Sequence, residues 1–168
     1  MSIQIIAHNI RSTYNVGSIL RSADGFGVSR VIFTGYTPYP TQPDDTRLPH
    51  IHQKLTRQIH KTALGAENTV SHTFCEDPLT VLTDLKAQRV TIMALEQADN
   101  SVPLQTVKAP NHVALLLGEE VNGIEPHLLK LCDVIAEIPM QGQKESFNVS
   151  VATGIALYQL AVVLPFSA

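Results

Sequence analysis

The stretch "LLLGEEVNGI", residues 115 to 124, ends an apolar run on a glycine, two carboxylates and a second glycine. Leu115, Leu116 and Leu117 bury readily, whereas Glu119 and Glu120 resist burial unless they are paired. In open α/β sheets ligands bind beyond the carboxyl ends of the strands, where Gly118 lets backbone approach a ligand and Gly123 permits a tight turn. The same residues also fit a plainer arrangement, in which Glu125 and Pro126 start the next helix and both acids face solvent. The usual phosphate cradles are missing: no G-x-G-x-x-G follows the first strand, and no G-x-x-x-x-G-K-[ST] occurs anywhere.

A second junction of this kind is "IPMQGQKESFNVSVATGIALYQL". An apolar strand gives way to a Gln-, Gly- and Lys-rich loop, then to a helix that Ser146 or Asn148 can cap. From Val149 to Leu164 that helix is apolar almost all round, interrupted only by Ser150, Thr153, Tyr158 and Gln159, so most of its faces must be buried. Packing one face on the sheet and another on a second subunit predicts a homodimer; the other reading is the central helix of the domain itself.

The elements that must position these residues alternate along the chain. "IQIIAH" (Ile3 to His8) and "RVIFTG" (Arg30 to Gly35) read as strands, separated by "NVGSILRSADGFG", where Val16, Ile19, Leu20 and Ala23 recur at helical spacing. "YTPYPTQPDDTRLP" reads as a long loop and Gln53 to Ala63 as a short polar helix. "VSHTF", "VTIMAL", "HVALLLG" and "DVIAEIP" are four further strands, with "PLTVLTDLKAQR" and "EPHLLKLC" as helices. Alternating strands and helices, several strands being apolar on both faces, predict an α/β fold with a buried, mostly parallel sheet.

Composition narrows the function classes. The 168 residues suit one domain, and 44% apolar with 16% charged residues is ordinary for a globular protein. No apolar run is long enough to span a membrane and no signal-peptide pattern opens the chain, so the cytoplasm is expected. Cys75 and Cys132 lack metal or redox spacing and read as buried thiols. The net charge of −3 hides a polarity: residues 1 to 61 carry seven Lys or Arg against three Asp, a balance of +4, and the remainder five against twelve, a balance of −7. Arg11, Arg47, Lys54, Arg57 and Lys61 can therefore form a face for phosphates, or simply a solvated one. His50 and His52 in "LPHIHQ" have no acid or Cys at ligand spacing, so no metal site is expected.

Taken together, "NVGSILRSADGFG", "LLLGEEVNGI" and "IPMQGQKESFNVSVA" resemble the three ordered motifs of the SpoU/TrmH-type RNA 2'-O-ribose methyltransferases of the SPOUT superfamily, and the resemblance spans essentially the whole chain. It implies a single catalytic domain over 1–168 without an added RNA-binding domain, a C-terminal deep trefoil knot, S-adenosylmethionine as methyl donor, and a homodimer whose active site draws on both subunits. Residue by residue, it makes Asn15, Arg21, Glu120, Ser146 and Asn148 the catalytic set. Leu95, Glu96, Leu117, Gly118, Ile138, Met140, Ser146 and Phe147 fall in the cofactor pocket. Arg11, Lys54, Arg57 and Lys61 are the candidates for contact with RNA, with His50, His52 and His60 as weaker ones, and tRNA is favoured over rRNA. Many relatives have Asp-Pro where this chain has "NIRSTYN", so Asn9, Ile10 and Arg11 are expected to shape substrate entry differently, and Phe147 replaces the commoner Leu. The family assigns Arg21 to deprotonation of the ribose hydroxyl. A guanidinium stays protonated in proteins, so a clamp that stabilises negative charge suits Arg21 better. Glu120 is expected to brace Asn15, Arg21 or a backbone amide, and Glu119 to be solvated. A catalytically idle RNA-binding module and a methyltransferase for a non-RNA substrate remain the alternatives.

Overall fold

The computed structural model describes residues 2–108 and 110–163. Its strands are β1 (Ser2–His8), β2 (Arg30–Thr34), β3 (His72–Cys75), β4 (Thr91–Leu95), β5 (Val102–Pro103), β6 (His112–Leu117) and β7 (Val134–Glu137). Its helices are α1 (Thr13–Gly25), α2 (Pro49–Ala63), α3 (Ala66–Thr69), α4 (Pro78–Ala87), α5 (Pro126–Leu129) and α6 (Val149–Tyr158). Successive side chains of a strand point to opposite faces, and β1 shows the result: Ile3, Ile5 and Ala7 enter one core, Ile6 the other. In β6, Val113, Leu115 and Leu117 alternate in the same way with Ala114 and Leu116. Residues of α1, α2 and α6 close the first core, and Val81, Leu82 and Leu85 of α4 with Leu128 of α5 close the second. A sheet covered on both faces suits parallel strands. Every ladder among the described residues is parallel, in the order β3-β2-β1-β6-β4-β7-β5.

That order places the site. The chain leaves β1 toward β2 on one side and leaves β6 toward β7 on the other, so the carboxyl ends of β1 and β6 flank a switch point, the crevice where ligands bind in open α/β sheets.

Local chemistry explains most boundaries. Ser12 caps α1 by accepting from the Asn15 amide at 3.4 Å, and Asp77 caps α4 through the Leu79 and Thr80 amides. The helix expected from Gln53 starts four residues earlier, at Pro49, because a proline in the first turn needs no donor. His50 and His52 thus sit on a helix two residues apart, on different faces, and not in a loop. Two elements lack a sequence signal: β5 is a two-residue edge strand containing a proline, and α3 is one turn after Gly65. The final helix is regular only to Tyr158 and continues as a π turn over Gln159–Val163; Leu164 lies outside the described residues.

Both cysteines are free and half-buried against the second core. Burial, reinforced by Asp133, pushes the Cys132 thiol up to about 11, which keeps it unreactive at neutral pH. Among the described residues no helix is long and apolar enough to cross a membrane, and no cluster of three His, Cys, Asp or Glu could hold a metal.

Candidate active site

The loops after β4, β6 and β7 meet around a cavity of about 270 Å³. Leu95, Leu117, Ile138 and Phe147 give it apolar walls, and Glu96, Glu119, Glu120, Glu137 and Glu145 surround them. Among the described residues no Lys or Arg lines it, so the cavity favours a ligand with an apolar body and positive charge. Gly118 and Ser146 line it as expected; Met140 does not. Met140 follows the last paired residue of β7, Glu137, and beyond that point no ladder fixes which way a side chain faces.

The loop after β6 is tightly built. Glu119 and Gly123 exchange backbone hydrogen bonds of 2.9 and 3.2 Å, and Gly123 takes a φ of 68° that favours glycine. Glu96, at the end of β4, accepts from the Ile124 amide at 2.9 Å and the Gln97 amide at 2.9 Å. The cavity therefore uses Glu96 to tie two of its loops together. Gly118 owes its identity to the chain itself: a Cβ there would lie 2.5 Å from the Ile124 side chain and 2.6 Å from the Gly123 carbonyl carbon. Gly118→Ala is expected to cost ~1–3 kcal/mol through this overlap and to lower the melting temperature, read by thermal unfolding.

Across the mouth of the cavity the three motifs are joined by side chains. Asn15 Nδ2 donates to Glu120 Oε1 at 2.7 Å, and Asn148 Nδ2 donates to Asn15 Oδ1 at 3.2 Å. Asn148 also caps α6, its Oδ1 accepting from the Ser150 amide at 3.0 Å and the Ser150 hydroxyl at 2.7 Å. Of the two residues that could cap this helix, Asn148 does so, and Ser146 is left facing the cavity. Glu120 braces Asn15 and the Arg11 amide, the latter at 3.4 Å. Glu119 departs from the expected solvated side chain: it is 9% exposed, pairs with the Arg11 guanidinium and accepts from Asn122 Nδ2 at 2.7 Å. An acid beside a gap opened by a glycine can be buried when an arginine reaches it, and sequence spacing gave no sign of that partner 108 residues away.

Arg21 lies elsewhere. It sits six residues beyond Asn15 on α1, about 9 Å along the axis and about 120° around it, so the two cannot share a face. It is exposed, has no hydrogen-bond or ion-pair partner among the described residues, and lines a separate depression with Ser18, Phe26 and Lys61. The expected contact of Glu120 with Arg21 is therefore not made within one chain. Lys54, Arg57 and Lys61 do share one exposed face of α2, at positions i, i+3 and i+7. His52 bonds Thr41 Oγ1 at 2.8 Å and His60 bonds Glu67 at 2.6 Å, so these two are held within the chain, while His50 is exposed. Burial works to raise the Glu67 carboxyl, yet the hydrogen bonds from His60 and the Gly65 amide outweigh it and hold it below the usual range.

One polar cluster at the sheet end had no motif to announce it. His8 is buried, its Nδ1 2.8 Å from Thr34 Oγ1 and its Nε2 3.2 Å from Glu125, which fastens the ends of β1 and β2 to the start of α5. Asn9, in a left-handed conformation with φ of 56°, donates to the same carboxylate at 3.2 Å.

Residues 2–158 match the model of the SpoU rRNA Methylase family. The chain is 30% identical over 158 residues to a 23S rRNA (guanosine-2'-O-)-methyltransferase of Nitrosomonas europaea, a match covering 94% of this chain and 55% of that protein. It resembles the crystal structure of the A. aeolicus TrmH/SpoU tRNA modifying enzyme with a TM-score of 0.78 and 25% identity, over 99% of this chain and 76% of that one. It also resembles an AdoMet-bound rRNA methyltransferase from Sinorhizobium meliloti with a TM-score of 0.74 and 26% identity, over 95% of this chain and 55% of that one. The chain thus spans little more than half the length of the first curated relative.

Proposed function

The chain belongs to the SpoU rRNA Methylase family, and from that membership and the site geometry we propose that it transfers a methyl group from S-adenosylmethionine to a ribose 2'-hydroxyl of RNA. The observation that carries this reading is the cavity that, among the described residues, has apolar walls, five carboxylates and no Lys or Arg in its lining, bridged at its mouth by Asn148, Asn15 and Glu120. These residues fit the donor: Leu95, Leu117, Ile138 and Phe147 suit an adenine ring, and the carboxylates suit a sulfonium and an ammonium. When bound, the donor supplies an electrophilic methyl on a sulfonium, open to in-line displacement by an oxygen.

The chain's own residues do the positioning. Glu96 and Gly123 fix the loops that form the walls, and the Asn148–Asn15–Glu120 chain fixes the start of α1 against the mouth. Arg21 holds an RNA phosphate and stabilises negative charge on the attacking oxygen, while the hydroxyl proton leaves to water. Since Arg21 points away from its own cavity, it serves the cavity of a second copy. The homodimer is supported by α6, where Val151, Ile155 and Tyr158 form an exposed apolar stripe at i, i+4 and i+7 beside α1. Ile155→Asp is expected to give a monomer by light scattering and to abolish methyl transfer; a dimer that survives this change would place the interface elsewhere.

The trefoil knot belongs to the same proposal, supported by Gln97 Nε2 donating to the Glu145 carbonyl at 2.8 Å, a tie between the loops after β4 and β7. Among RNAs we take tRNA first, since a compact stem-loop can be read by shape from a small basic face; the relatives' names point to both rRNA and tRNA. The free thiols and an RNA substrate fit a cytoplasmic protein. Calorimetry with S-adenosylmethionine, followed by label transfer to separated tRNA and rRNA, tests the reading. One donor per chain and label in one fraction support it, and a protein that binds no donor refutes it.

A further inference from the structure

A second cleft opens on the other side of Arg11, about 660 Å³ in volume, between the ends of β2 and β3 and the helix α2. Its lining differs in kind from that of the donor cavity: among the described residues Arg11 and Arg47 line it and no carboxylate does, the carboxylates that pair with them, Glu119 and Asp45, lying behind the lining. Its floor is a stack. Tyr39 lies 4.3 Å from Phe74, ring to ring, with the Arg47 guanidinium 3.5 Å above its other face. Asp45 at 2.5 Å and the Tyr39 and Pro40 carbonyls hold Arg47 there, and the same arginine keeps the Asp45 carboxyl well below the usual range.

At the rim stands Tyr36, 53% exposed, with no ring partner among the described residues. Its backbone is nonetheless fixed. The Tyr36 amide donates to Asn9 Oδ1 at 3.2 Å, and the neighbouring Thr37 is buried, its hydroxyl donating to the Ala7 carbonyl at 2.9 Å and accepting from the Ile10 amide at 3.0 Å. Gly35, just before it, has a φ of 62°, and a Cβ there would overlap the Asn9 side chain and crowd the His8 ring. An exposed aromatic ring on an immobilised backbone is a stacking platform that loses little freedom on binding. Arg11 stands next to it, its charge favoured by Tyr36 and by Glu119. Leu55 and Gln58 of α2 wall the cleft, and the exposed Lys54, Arg57 and Lys61 continue from the same helix.

Resting on the function proposed above, we infer that this cleft is the subsite for a nucleotide adjoining the methylated one, its base stacked on Tyr36 and its phosphate on Arg11, with the RNA strand running on along α2. Arg11 links the two sites without lining the donor cavity: its guanidinium pairs with Glu119, which does line that cavity, while Arg11 itself lines the cleft, so the two sites are close enough for neighbouring nucleotides of one strand.

The chain has no tryptophan, so Tyr36→Trp installs a single fluorophore at the rim. Oligoadenylate of about eight residues is expected to quench it saturably, the affinity falling on the order of tenfold with Arg11→Gln, and S-adenosylhomocysteine alone is expected not to quench it. In methyl transfer, Tyr36→Ala is expected to raise the KM for RNA on the order of tenfold with donor affinity within about twofold of wild type. Absence of quenching, or an unchanged KM, overturns the subsite. A wild-type chain that methylates no RNA fails the functional reading and the subsite with it, whereas active wild type with an indifferent Tyr36→Ala fails the subsite alone.

Discussion

Arg21→Lys is expected to lower methyl transfer about 10- to 100-fold, and Arg21→Ala about 100- to 1000-fold, with the affinity for S-adenosylmethionine nearly unchanged. Lysine keeps the charge and loses the planar fork that grips a phosphate and an adjacent oxygen together. Arg21 is exposed and has no hydrogen-bond or ion-pair partner among the described residues, so both variants should melt with the wild type. Turnover measured at saturating donor, with donor affinity from calorimetry, separates the alternatives. Near-normal turnover in Arg21→Lys contradicts a fork-shaped clamp, and lost donor affinity would place Arg21 in the donor pocket.

The second large effect concerns the bridge across the mouth. Asn15 is its hub, donating its amide hydrogen to Glu120 and accepting on its carbonyl oxygen from Asn148 Nδ2. Asn15→Asp replaces the donor with a carboxylate facing Glu120, and like charges at that distance repel. We expect turnover about 100-fold below wild type, worse than Asn15→Ala, because repulsion pushes the start of α1 away from the cavity where Ala merely leaves a gap. Adding Glu120→Gln restores a donor–acceptor pair and should recover most of the loss. A double variant no better than the single one would mean that Glu120 does not act through Asn15. Asn148→Ala differs, since Asn148 is also a helix cap: a stability loss of ~1 kcal/mol should accompany its effect on turnover.

The fold was legible because burial on both faces leaves a plain mark: β6 is an unbroken apolar run after His112, β1 carries Ile3, Ile5, Ile6 and Ala7, and α1 shows Val16, Ile19, Leu20 and Ala23 at helical spacing. What could not be read was local and cooperative. The start of α2 hid behind Pro49 in a polar loop, and β5 pairs along two residues only. Within the site, the motifs named Asn15, Glu120 and Asn148, but the hydrogen bonds joining them span 105 and 133 residues and follow from the sheet order. Arg11 and Glu119 read separately as a basic residue and a solvated acid; only the fold pairs them. Tyr36 and His8 carried no spacing signal, since one is an exposed ring after a strand and the other a polar residue at a strand end.

The central claim is the position of the methyl group, and its most direct measurement is alkaline hydrolysis of RNA labelled by the wild-type chain with methyl-labelled S-adenosylmethionine. A methylated 2'-oxygen cannot attack the neighbouring phosphate, so label recovered in an alkali-resistant dinucleotide, and absent with Arg21→Ala, is the result expected here. Label released in mononucleotides would place the methyl on a base and contradict the account.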